Sequence, residues 1–266
     1  MIFGKKEIDF IDNLQLLYES NLLRIELFPS STPELEKIIN AVCDKNERDN
    51  WTDSSGKSDP PPDFYSDKYK LMMDVMRVND HEKRGKKGKL YNPSMAHEQE
   101  MYMELEQAGI IKQFPNAKVF LTGQTQLPTY EDHNYNLYLK CFNRVVSKHI
   151  DNIPLYKENH PGYKVIFLLF DESSAYFEAN MNIDPMKQLI KGERMEGRPH
   201  FYFLDKAFLD AFTRKEIDYL FWFTPYKMFE NITPPIELPN LCVYDLSKEH
   251  EYCMEYDVSK MSSVEI

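Results

Sequence analysis

The chain has 266 residues, 42% hydrophobic and 28% charged, the balance of a globular protein whose core needs neither disulfides nor a structural metal. Its 43 acidic and 32 basic side chains leave a net charge of −11, so the surface as a whole repels phosphate backbones and nucleic acid is left only a local basic patch. Cys43, Cys141, Cys242 and Cys253 form no C-x-x-C pair, no apolar run reaches the ~18 residues of a membrane span, and acids precede any signal-like stretch; the expected location is a reducing cytoplasm, with no membrane partner.

In chain order, residues 7–20 carry Ile8, Ile11, Leu14, Leu17 and Tyr18 at helical spacing. Residues 22–28 alternate as a strand does, with Leu23, Ile25 and Leu27 against Arg24 and Glu26. Ser31-Thr32-Pro33-Glu34 is a helix start, with a capping hydroxyl and proline at the first helical position, and predicts a helix to about Arg48. The polar, proline-rich residues 49–62 read as loop. A hairpin follows, with Asp63, Phe64 and Tyr65 on one arm, a turn at Ser66, Asp67 and Lys68, and a strand over 69–78 on the other. A basic run over 83–89 comes next, with Lys83, Arg84, Lys86, Lys87 and Lys89. A helix opens at Pro93 or Ser94 and runs to about Gln107, with Gly109 as its stop.

Beyond this, strands are expected at 117–122, 163–170, 200–204, 218–223 and 241–244. Helices are expected at 135–149, 185–190 and 207–214. Such alternation predicts a single α/β domain built on one mixed sheet flanked by helices, in which 124–246 adds βα elements to the same sheet and the acidic tail, 247–266, frays.

The most informative segment is the strand through Asp74. Period-two geometry puts Met72, Asp74, Met76 and Val78 on one face and Leu71, Met73, Val75 and Arg77 on the other. Both faces are apolar, so the strand is expected to be central and covered on both sides. A carboxylate there needs a metal, a cation or hydrogen bonds to offset its burial. Asp63 lies across a short hairpin, and two carboxylates on adjacent strands suit a hard divalent cation such as Mg²⁺. An ion pair with Arg24, Arg144 or another cation is the structural alternative for Asp74, and a turn residue that for Asp63.

Pro62-Asp63, ten intervening residues, then Asp74-Val75-Met76 resembles the PD-(D/E)xK nuclease superfamily, in which a Pro-Asp begins one strand of a hairpin and an acid-x-Lys triplet lies on the next. The order helix, hairpin, helix, strand over about 33–123 is similar to that family's restriction-endonuclease-like core. The resemblance implies a Mg²⁺-dependent phosphodiesterase using Asp63 and Asp74 as metal ligands. A third acid comes from the preceding helix, Glu36 or Glu47, with Glu36 the choice carried forward, and the run over 83–89 grips nucleic acid. Met76 stands where the family has lysine, and a thioether cannot donate to a reacting water. Lys70, Lys118 and the basic run are the substitutes on offer, while Arg77 points to the opposite face. The same resemblance admits a catalytically inactive interaction module.

A second constellation competes. Ligands of open α/β sheets bind beyond the carboxyl ends of parallel strands. Thr122-Gly123-Gln124-Thr125, Asp171-Glu172-Ser173-Ser174 and Thr224-Pro225-Tyr226 follow three expected strands and suit a small polar ligand near Asp171. Other signals fail. His97-Glu98-Gln99-Glu100-Met101 lacks the second histidine of H-E-x-x-H, and no G-x-S-x-G occurs. His81, His97, His133, His149, His160, His200 and His250 show no close ligand spacing.

Overall fold

A computed structural model describes residues 7–55, 62–81, 83–84, 90–91, 93–113, 133–180, 197–213, 216–229, 236–249 and 253–264. The expected strand at 117–122, the helix at 185–190, Lys118 and most of the basic run lie outside these residues.

The chain is an α/β protein. Its strands are β1 (Ile25–Phe28), β2 (Thr52–Asp53), β3 (Phe64–Ser66), β4 (Leu71–Val78), β5 (Lys83–Arg84), β6 (Leu90–Tyr91), β7 (Lys164–Asp171), β8 (Tyr176–Ala179), β9 (Gly197–Pro199), β10 (Tyr219–Phe223), β11 (Leu241–Asp245) and β12 (Met261–Ser263). Its α-helices are α1 (Glu7–Glu19), α2 (Pro33–Cys43), α3 (Pro93–Gln107), α4 (Ile110–Gln113), α5 (Tyr135–Asn159) and α6 (Lys206–Leu209). Seven strands form a mixed sheet in the order β1-β11-β10-β7-β4-β3-β2, in which β4, β7 and β10 run parallel to one another. Two small sheets, β12-β8-β9 and β5-β6, stand beside it.

The central strands are apolar on both faces and buried on both. Met72, Met76 and Val78 of β4 pack with α5, α6 and the β12-β8-β9 sheet, while Leu71, Met73 and Val75 pack under α1 and α2. Each such buried side chain contributes about 1.5–3 kcal/mol, which is why these runs occupy the middle of the sheet. The helix start is as the sequence implies: Thr32 Oγ1 accepts from the Leu35 N–H at 3.2 Å, with Pro33 behind it. Gly109 follows α3 with φ +74°, the left-handed conformation that glycine adopts freely.

Four expectations need correction. The helix from Pro33 stops at Cys43, because the Asp44 carboxylate accepts from Asn46 N at 2.8 Å and starts a separate 3₁₀ helix, Lys45–Asn50. The helix from Tyr135 continues ten residues past His149. Its buried stripe runs on through Ile150, Ile153 and Tyr156, and Pro154 sits on the exposed side where its missing donor costs least. Residues 202–204 form a 3₁₀ turn rather than a strand: Tyr202 is wholly buried and donates to Pro239 O, and Asp205 caps α6 through Ala207 N at 2.9 Å. The tail does not fray as a whole, since β12 pairs antiparallel with β8 and Met261 joins the core.

Candidate functional site

The hairpin acids come first. The pairing Phe64↔Met73, continued by one step, sets Asp63 opposite Asp74, and both lie on the α5 side of the sheet. Asp63 Oδ2 accepts from the Val75 N–H at 2.8 Å, extending the ladder where β3 begins. Asp74 is 3% exposed; its Oδ2 accepts from Tyr156 OH at 3.0 Å and lies 2.6 Å from His149 Nδ1. Burial pushes the Tyr156 hydroxyl above its ordinary range, and the charges of Asp74 and then Asp63 add to the effect, so both acids are near it. Arg24 pairs instead with Glu237, and Arg144 contacts Cys141 Sγ.

The third acid is not brought to this pair. The buried residues of α2 pack on the opposite face of the sheet from Asp74, and Glu36 is exposed and accepts from Ser31 Oγ at 2.5 Å. Glu47 is engaged at the hairpin turn by Tyr69 OH and by Lys68 Nζ, the latter at 2.7 Å. Lys70 also stays at the turn, donating to Tyr163 OH at 3.2 Å. Asp74 thus has protein donors where the resemblance has an ion, and among the described residues the hairpin acids join no three-residue ligand group.

At the carboxyl ends of β4, β7 and β10 the polar residues are denser. The registers Val78↔Asp171 and Phe170↔Phe223 bring the three ends side by side. Asp171 is fully buried. Its Oδ1 accepts from Ser173 N and Oγ at 2.9 and 2.7 Å, and its Oδ2 from Tyr138 OH at 2.5 Å and Trp222 Nε1 at 2.9 Å. Lys227 Nζ lies 3.4 Å from that oxygen, donates to Ser173 O and Ser174 O at 3.1 and 3.0 Å, and sits over the Tyr138 ring. Asp171, the acid marked in the sequence, is therefore saturated and holds the strand ends together. Glu172 turns to the other face, where Arg77 donates to it; burial nevertheless raises its carboxyl above the ordinary range.

The residues missed are Asp80, His81 and His133. Asp80, two residues past β4, is fully buried, and its Oδ2 accepts from Ser174 N at 2.8 Å and Tyr176 OH at 2.6 Å. Its Oδ1 is buried with no hydrogen-bond partner, although His81 Nε2 stands 3.2 Å away. His133 precedes α5 with φ +48°, its Nδ1 against Ser174 Oγ and 3.7 Å from Asp80 Oδ2. The two imidazoles meet edge to face at 4.5 Å, and one ligand atom from each of Asp80, His81 and His133 lies within 4.8 Å of the others. Burial alone would raise the Asp80 carboxyl, but the His81 charge, His133 and Tyr176 hold it well below its ordinary value.

The one sequence signal was Asp80-His81 directly after the methionine-rich strand; His133 lies 52 positions farther on and only the fold brings it near. Beyond Tyr176, Tyr135 OH donates to Asp205, whose Oδ2 lies 2.7 Å from His200 Nε2. Among the described residues no helix is long and apolar enough to cross a membrane. Comparison with known proteins gave no match to a family model, to a curated protein or to a solved structure.

Proposed function

We propose that this chain is a hydrolase whose working groups are Asp80, His81 and His133, in the crevice at the carboxyl ends of β4, β7 and β10. The observation that carries this reading is the meeting of an aspartate and two histidines, one of them with a left-handed backbone, beside the carboxyl ends of parallel strands. Burying such groups costs stability, and folds tolerate that cost at sites of function. Chemically the set activates water: its oxygen bonds to a phosphorus or acyl carbon while its proton passes to a nearby base, and the leaving oxygen departs protonated. In this reading Asp63 and Asp74 are structural.

The test is hydrolysis of bis(p-nitrophenyl) phosphate, p-nitrophenyl phosphate, p-nitrophenyl acetate and single- and double-stranded nucleic acids, with zinc, manganese or magnesium added. Asp80→Asn and His133→Ala should lose activity that Asp63→Asn keeps. The reverse pattern, or no turnover of any substrate, would overturn the proposal.

A second reading keeps the nuclease resemblance. What favours it is the hairpin itself: β2, β3 and β4 are adjacent in the sheet, Asp63 and Asp74 share one face, and α2 and α3 precede and follow the hairpin in the chain, while the strand expected at 117–122 lies outside the described residues. Activity on nucleic acid lost in Asp63→Asn and Asp74→Asn, and kept in Asp80→Asn, would select it.

A further inference from the structure

We infer that Asp80, His81 and His133 bind a first-row transition ion, zinc being the natural occupant, with at least one coordination position left to water or substrate. The inference deepens the strand-end reading by naming its cofactor, yet as a binding statement it stands or falls separately.

Three features of Asp80 point to an ion. Asp80 Oδ1 is buried and has no hydrogen-bond partner, a condition native proteins rarely leave uncompensated. The other oxygen of the same carboxylate is fixed by Ser174 N–H and Tyr176 O–H, so Oδ1 is aimed rather than free to rotate, as an outer shell does for a metal ligand. Finally, Oδ1 and His81 Nε2 stand 3.2 Å apart without hydrogen-bond geometry. Two ligands about 2.0–2.1 Å from a tetrahedral ion stand about 3.3 Å from each other, so this pair already has the spacing of neighbours in a coordination shell.

The donor chemistry selects the ion. Two imidazoles and one carboxylate suit zinc and its transition-series neighbours, whereas magnesium takes oxygen ligands and keeps several waters. Three protein ligands are the complement of a catalytic rather than a structural zinc site, which uses four. Such an ion lowers the pKa of its bound water towards neutrality and supplies the nucleophile that hydrolysis needs.

The experiment uses the full chain, freed of metal by chelator and titrated with Zn²⁺, Co²⁺ and Mg²⁺ by calorimetry, with Co²⁺ visible absorption reporting coordination number. One Zn²⁺ or Co²⁺ per chain is expected, with Mg²⁺ at least about 100-fold weaker. His133→Ala and His81→Ala should each weaken zinc at least about 100-fold, and Asp74→Asn should change it less than about threefold. Circular dichroism checks the fold of each variant. Should Asp80→Asn not fold, the two histidine variants carry the test. Zinc affinity unchanged in both folded histidine variants, or lost in folded Asp74→Asn alone, overturns the site. Zinc binding without turnover of any substrate would sink the hydrolase reading and leave the site standing; turnover without zinc affinity would sink the site and leave the hydrolase reading standing.

Discussion

Nδ1 of His149, on α5, lies 2.6 Å from Oδ2 of Asp74, on the central strand β4, and Tyr156, about two turns further along the helix, donates to the same oxygen. The crossover helix therefore supplies the counter-groups that a carboxylate buried in an apolar strand requires. Asp74→Asn removes the charge facing the imidazole and weakens the acceptor for Tyr156. It should lower unfolding free energy by about 1–3 kcal/mol, read as a reduced urea midpoint with unchanged slope. Magnesium should not raise the melting temperature in any way that depends on Asp74; an Asp74-dependent rise would return the ion to the hairpin.

On the opposite face, Arg77 of β4 donates to Glu172 just after β7, and the Glu172 side chain is only 8% exposed. Removing Arg77 takes the counter-charge from a buried carboxylate, so Arg77→Met should cost about 3–5 kcal/mol and Arg77→Met/Glu172→Leu distinctly less. Because burial holds the Glu172 carboxyl above its ordinary 4.5, the folded chain keeps a proton that the unfolded chain releases. Stability should therefore fall as pH rises through the range above 4.5, and Glu172→Gln should flatten that slope. A double variant no better than Arg77→Met would show that packing, not charge, sets the cost.

A different group governs mild acid. His200 is 2% exposed, and burial lowers its pKa from the ordinary 6.5 although Asp205, 2.7 Å away, pulls the other way. Below 6.5 the unfolded chain takes a proton that the folded chain refuses, so stability drops as pH falls through that value and is unaffected above it. His200→Gln keeps a donor for Asp205 and removes the titration. Between pH about 6.5 and about 5 its urea midpoint should change less than that of the wild type. Parallel curves would assign the acid sensitivity elsewhere.

The central sheet was legible because β4, β7, β10 and β11 are short apolar runs buried on both faces, and α2 because Thr32-Pro33 writes its own start. Residues 202–204 misled because the run Phe201-Tyr202-Phe203-Leu204 suits a strand, while side-chain bonds from Tyr202 and Tyr244 fix it as a turn. For the site, the sequence pointed to the ends of strands at 117–122, 163–170 and 218–223; the last two, β7 and β10, do end side by side, the first lies outside the described residues, and β4, whose end was not in that reading, is the other neighbour of β7. Which acid stays uncommitted could not be read this way: Asp171 and Asp80 both follow apolar strands, and only packing shows Asp171 filled by Tyr138, Trp222 and Lys227 while Asp80 keeps one oxygen without a hydrogen bond. His133 joins through a tertiary contact across 52 residues, which no local spacing encodes.

Lys227 links that framework to the proposed metal centre. Its ammonium group is buried against Asp171 and donates to the carbonyls of Ser173 and Ser174, and Ser174 in turn presents its N–H to Asp80 Oδ2 at 2.8 Å. Lys227→Met preserves much of the volume over the Tyr138 ring but removes the counter-charge of the buried Asp171 carboxylate and the donor to two carbonyls, so a loss of about 3–5 kcal/mol is expected. The loop carrying Ser174 would also lose its anchor, and with it the orientation of Asp80 Oδ1. Zinc affinity should fall by about 10–100-fold in the folded variant, as for other outer-shell changes, and less than in His133→Ala. The two effects are measured apart, by urea unfolding of the metal-free chain and by zinc calorimetry under conditions where it is folded. A variant that loses stability while binding zinc as tightly as the wild type would show that the strand-end ion pair supports the sheet and leaves Asp80 alone.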